Sequence, residues 1–91
     1  MGDSIKVEIL RPDGIVYQND AVVAVTLPGE KGLFTVLPQH ASLISSLVEG
    51  SIKIVEHAGE GEGGSEGTER VVPVKGGFVE VNKNVVSVCV K

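Results

Sequence analysis

Aromatic side chains are nearly missing from this chain of 91 residues: Tyr17, Phe34 and Phe78 are the full set, and there is no tryptophan. A core built without them has to be aliphatic, and here it is rich in Val and Ile, whose branched Cβ favours strands over helices. Cysteine is almost absent too. Cys89 stands alone, which excludes an internal disulfide framework and a cysteine-based zinc site. It sits in the apolar run Val85-Val-Ser-Val-Cys-Val90, where a small apolar packing role is expected. No apolar run approaches membrane-spanning length, and Met1-Gly-Asp-Ser-Ile-Lys6 has no hydrophobic leader. Gly2 lacks the Ser or Thr that a myristoylation motif requires at position 6, which is lysine. The chain is accordingly read as soluble and cytosolic, without direct membrane insertion.

An excess of positive charge is also lacking. The net charge is −4, and Glu60, Glu62, Glu66 and Glu69 account for it, because the other eight acidic residues balance the eight basic ones. A near-neutral body with no basic stripe among aromatics argues against nucleic acid as a partner.

What the chain does have is glycine, twelve residues of it, and short apolar segments between turn signals. At this length folding buries only about 60–65% of the unfolded surface, enough for one domain, residues 1–91. Ile5-Lys-Val-Glu-Ile9 alternates as a half-buried strand, and Arg11-Pro-Asp-Gly14 reads as a type I turn. Gly14–Tyr17 is a short second strand, ended by a turn at Asn19-Asp20. Ala21–Leu27 is apolar on both faces, as in a central strand covered on both sides. Pro28–Gly32 is a loop and Leu33–Leu37 a strand stopped by Pro38. Ala41–Glu49 is ambiguous between helix and strand, since apolar residues recur at helical spacing while three serines weaken a helix. Ser51–Glu56 alternates again. Residues 58–69, with five glycines and four glutamates, are read as a mobile hairpin loop. Beyond it come Arg70–Lys75, an edge strand because Pro73 lacks a ladder donor, and a last hairpin formed by Phe78–Val81 and Val85–Val90. Such dense punctuation predicts an all-β sandwich or flattened barrel.

Little here could carry chemistry. His40 and His57 are the only histidines, and no Gly-x-Ser-x-Gly elbow sits in a strand-to-helix context. His40, following Pro38 in a tight connection, is expected to be a hydrogen-bonded structural residue or a partner contact. No catalytic residue, cofactor or metal site is assigned. The glutamates of 58–69 lack the ligand spacing of a calcium loop, and no glycine-rich phosphate cradle adjoins a helix start. Lys31, between two strand-like segments, mimics the attachment lysine of a biotinyl or lipoyl carrier barrel, though its neighbours Glu30 and Gly32 fit that sequence poorly.

Four segments in fixed order carry a resemblance: Val25-Thr-Leu-Pro28, Val36-Leu-Pro-Gln-His-Ala-Ser-Leu43, Leu47-Val-Glu-Gly-Ser-Ile-Lys-Ile54 and Gly76-Gly-Phe-Val-Glu-Val81. With the opening Val7–Tyr17, they make the chain resemble the amino-terminal domain of the epsilon subunit family of F-type ATP synthase. The departures are Thr35 and Gln39 where the family pattern has glycine, and Ser42 in place of a common proline.

The resemblance implies a flattened sandwich of two roughly five-stranded antiparallel sheets. It makes 41–49 a strand, and it implies that this chain, stopping at Lys91, lacks the family's carboxy-terminal helical hairpin. It further implies a non-catalytic rotor part at the foot of the central stalk, between the gamma subunit and the membrane c-ring. That location is peripheral, on the cytoplasmic face of the bacterial plasma membrane. The ring-facing end would be Gly29–Leu33 with Phe34, together with Pro38–Ala41. The contact residues would be Glu30, Lys31, Leu33, Phe34, Pro38 and His40. The alternatives are a carrier barrel modified on Lys31 and a general β-sandwich binding module.

Overall fold

The computed structural model describes residues 4–57 and 68–91. Eight strands follow in chain order: β1 Ile5–Arg11, β2 Gly14–Gly29, β3 Gly32–Val36, β4 Leu43–Leu47, β5 Gly50–Glu56, β6 Thr68–Val74, β7 Gly77–Asn82 and β8 Val85–Val90. Hydrogen bonding runs β1-β8-β7-β4-β2-β5-β6, with β3 on β2 and β1 also on β2. All pairs are antiparallel except β1 with β8. The two layers are therefore β1-β8-β7-β4 and β3-β2-β5-β6, and β2 serves both. Its first half pairs with β1 and its second half with β3 and β5. Eight described strands thus do the work expected of two roughly five-stranded sheets.

Alternation places the core between the layers. Ile5, Val7 and Ile9 of β1 are fully buried, as are Val86 and Val88 of β8 and Val79 of β7. They face Val22, Val25 and Leu27 of β2 and Ile52 and Ile54 of β5. No polar or charged residue is buried among those described. The sparse aromatics stay at the margin: Tyr17 and Phe34 pack against the core from partly exposed positions, while Phe78 is exposed.

Four expectations need correction. Asn19-Asp20 is not a turn, because β2 runs through it unbroken. Pairing of Asn19 with Val7 of β1, and of Val22 just beyond with both β1 and β5, outweighs the local turn preference. The irregularity survives only as register shifts between Ile5 and Val7 and between Val22 and Ala24. Second, Ala21–Leu27 is central in pairing but covered on one face; Val23, Ala24 and Thr26 are half-exposed. Third, Pro28 and Gly29 belong to β2, and the loop shrinks to the two-residue turn Glu30-Lys31. Fourth, Thr68 and Glu69 lie in β6, paired with Glu56 and Val55, and Glu69 reaches Lys53 at 4.0 Å. The rest of the expected 58–69 loop lies outside the described residues.

The ambiguous segment contains strand β4, with Leu47 inward and Ile44 outward. Pro73 lies on edge strand β6 opposite Ser51, as its missing donor requires. The last hairpin turns on Lys83 and Asn84, at φ 51° and 65°. Positive φ at both central residues is the primed turn that matches strand twist.

Candidate functional site

The clearest surface feature forms where β2, β3 and β4 meet. Gly29 pairs with Gly32 across the Glu30-Lys31 turn, and the Phe34 ring lies so close over Gly29 that a Cβ there would sit 2.8 Å from it. The hairpin is tied to β4 by two backbone bonds: Glu30 N–H donates to Ser46 O at 3.0 Å and Val48 N–H to Pro28 O at 2.9 Å. Between them lies an open depression of about 490 Å³, lined by Gly29–Phe34 and Ile44–Ser46. Leu33 and Ile44 flank it, 75% and 74% exposed. Leaving two such side chains in water forgoes about 1.5–3 kcal/mol each of burial.

Of the expected contact residues, Glu30, Lys31, Leu33 and Phe34 come together here, with Phe34 half-buried as the floor. Pro38 and His40 do not join them. They lie beyond the far end of β3, five residues or roughly 16 Å along the strand. Ile44 escapes sequence reasoning because its segment has no clear period. No sequence signal marks it, because Leu43, Ser45 and Leu47 on one face and Ile44 and Ser46 on the other both mix apolar residues with serine.

The Pro38–Ala41 connection is pinned from below. His40 N–H donates to Leu37 O at 3.2 Å, and the His40 Nδ1–H donates to Ala41 O at 2.7 Å. Gln39, where the resembled pattern has glycine, keeps a left-handed backbone at φ 67°. Its N–H donates to Asn84 Oδ1, and Asn84 O accepts from Lys6 N–H at 2.8 Å. Asn84→Gly preserves the left-handed turn but removes the acceptor. It should cost about 1 kcal/mol and lower the melting temperature by roughly 4–8 °C. An unchanged melting temperature would show that the connection is not held by this bond.

A polar cluster occupies a different corner. The Tyr17 hydroxyl donates to Glu56 Oε2 at 2.6 Å, Asn19 Nδ2 donates to the same oxygen at 3.2 Å, and Arg70 Nε donates to Oε1 at 3.3 Å. Burial, then the bond to Glu56 and its charge, push the Tyr17 phenol up to about 12. Glu56 is lowered, chiefly by the Tyr17 bond; burial opposes this, while the Arg70 and Asn19 bonds and the Arg70 charge add to it. Stability from Tyr17 is complete below its ordinary value of 10.0 and is lost as pH rises through about 12. Stability from Glu56 is present above its ordinary 4.5 and is lost as pH falls through the lowered value. Melting curves against pH should therefore fall at both extremes, and Glu56→Gln should flatten the acid limb.

The domain is a small β-sandwich with Leu33 and Ile44 exposed beside an open depression of mixed polarity. Comparison with known proteins then narrows the class. The family described as ATP synthase, Delta/Epsilon chain, beta-sandwich domain matches residues 4–91, and the chain belongs to it. It is 43% identical over 91 residues to the ATP synthase epsilon chain of Campylobacter lari, covering all of this chain and 63% of that one. It is 40% identical over 82 residues to the ATP synthase epsilon chain of Nitratiruptor, covering 90% of this chain and 57% of that one. The chain thus spans about three fifths of the length of these relatives. Among solved structures, a chain of the Euglena gracilis mitochondrial ATP synthase, resolved with OSCP, F1 and c-ring, superposes with a TM-score of 0.80 at 25% identity, over 99% of this chain and 52% of that one. A chain from the Tetrahymena thermophila mitochondrial central stalk and c-ring shares the fold, with a TM-score of 0.72 at 18% identity over 96% of this chain and 63% of that one.

Proposed function

We propose that this domain is a non-catalytic rotor part of a proton-translocating F-type ATP synthase, coupling the gamma subunit to the c-ring on the cytoplasmic face of a bacterial membrane. The observation that carries this reading is the family match along residues 4–91, joined to epsilon-chain relatives at 40% identity and above. The fold suits a coupling role, because a densely packed aliphatic interior is little compressible and passes strain from one face to another. Glu30, Lys31, Leu33 and Ile44 form the ring-facing contact, with Phe34 behind them. Pro38 and His40, beyond the opposite end of β3, lie outside this contact.

The test is co-expression of the tagged domain with gamma and the ring subunit. Stoichiometric copurification with gamma is expected, and Leu33→Glu with Ile44→Glu should release the ring while gamma stays bound. Recovery of neither partner at gentle salt would end the reading. Lys31 stands exposed on a two-residue hairpin tip, which keeps the carrier alternative testable, since an intact mass raised by biotin or lipoate would favour it.

A further inference from the structure

Like the edge strand β6, the first half of β2, Gly14–Asp20, is thinly covered. Five of its seven residues are exposed, and only Tyr17 and Asn19 are partly covered. Its ladder partner is β1 alone, on one edge. On the other side its anchorage passes through the Glu56 carboxylate, which accepts from Tyr17 and Asn19 of this segment and from Arg70 of β6. Where the segment ends, the chain bends into the other layer. There Asn19 Oδ1 accepts from Ala21 N–H at 2.7 Å, and Ala21 O accepts from His57 N–H at 2.8 Å. A thinly covered segment with few anchors opens at a lower free energy than the core it lies on.

We propose that residues 14–20 form a strap and that Glu56 is its buckle, so that losing the Glu56 bonds frees the strap from β5 and β6 while the sandwich core stays closed. Three donors on one carboxylate from two different strands make the carboxylate, and no single donor, the point of control. Tyr17 and Asn19 come from β2 and Arg70 from β6; among the described residues these are the side chains that reach Glu56. Strap opening is a property of the domain by itself, whatever partner the domain docks to.

Native-state hydrogen exchange on the full chain tests it, comparing wild type with Glu56→Ala, Glu56→Gln and Tyr17→Phe. The Ala21 and His57 amides report the strap junction, and the β7–β8 ladder amides report the core. In Glu56→Ala the junction amides should exchange at least about ten-fold faster, as loss of hydrogen bonds to a charged group implies, with core amides unchanged. Glu56→Gln should restore part of the protection, because an amide oxygen still accepts from Tyr17. Should Glu56→Ala not fold, Tyr17→Phe supplies the same comparison with a smaller junction effect. Equal acceleration at junction and core would reduce Glu56 to an ordinary stabilising residue and overturn the strap, and so would no acceleration at the junction.

Discussion

Val25→Asp should leave the chain unfolded at neutral pH. Val25 is fully buried, opposite Val36 of β3 on one side and Ile54 of β5 on the other, in the strand that joins the two layers. Removing the side chain forfeits about 1.5–3 kcal/mol of burial. The carboxylate must then either stay charged without a partner, at several kcal/mol, or take up a proton and remain without hydrogen bonds. A domain of this size has roughly 5–14 kcal/mol in total, so the two losses together exhaust most of it. Far-ultraviolet dichroism and amide proton dispersion would show the loss. Thr35→Asp is the control: Thr35 is exposed on the adjacent strand, and its hydroxyl meets only that of Thr26, at 2.9 Å. That variant should fold, losing about 1 kcal/mol. A folded, soluble Val25→Asp protein would contradict the central position of β2.

Why position 25 was legible from the sequence and other positions were not is a question of range. In β1 and β5 apolar residues stand at alternate positions and burial follows them, so Ile5, Val7 and Ile9 announce their burial. The turn at Lys83-Asn84 is equally local, since Asn tolerates left-handed backbone. β2 defeats the same reasoning. Asn19-Asp20 has turn chemistry, yet what decides its conformation is Val7 across one ladder and Glu56 beyond the other, 12 and 37 residues away from Asn19. β4 fails for another reason: apolar residues recur at helical spacing while serines weaken a helix, and the strand choice came from the family resemblance alone. The contact residues show the same limit. Glu30, Lys31 and Leu33 are visible as a hairpin tip, but Ile44 joins them only because β4 is stitched to β2 at Ser46 and Val48. The Glu56 cluster has no sequence signature, because its donors are 39, 37 and 14 residues distant.

The Gly76-Gly77 pair carries the other large expected effect. Gly77→Ala should lower the melting temperature by at least about 15 °C, whereas Gly14→Ala should cost much less. Both glycines have a backbone that L side chains rarely adopt, φ 146° at Gly77 and 151° at Gly14, so both substitutions store roughly 1–3 kcal/mol of strain. They differ in space. A Cβ at Gly14 would meet nothing within 4 Å, but at Gly77 it would collide with the Cys89 carbonyl oxygen and lie 2.9 Å from Val90 Cα. Those atoms are backbone, so no rotamer change can relieve the overlap; β7 must move away from β8 where Gly77 pairs with Val90. That opens the ladder beside Val79 and Val88, which are fully buried, and adds a packing loss to the strain. The gap between the two melting temperatures measures the steric part with strain removed. Equal losses would mean that the hairpin yields freely at Gly77, and a stiff sandwich could not then be assumed at the end of the molecule where β7 begins.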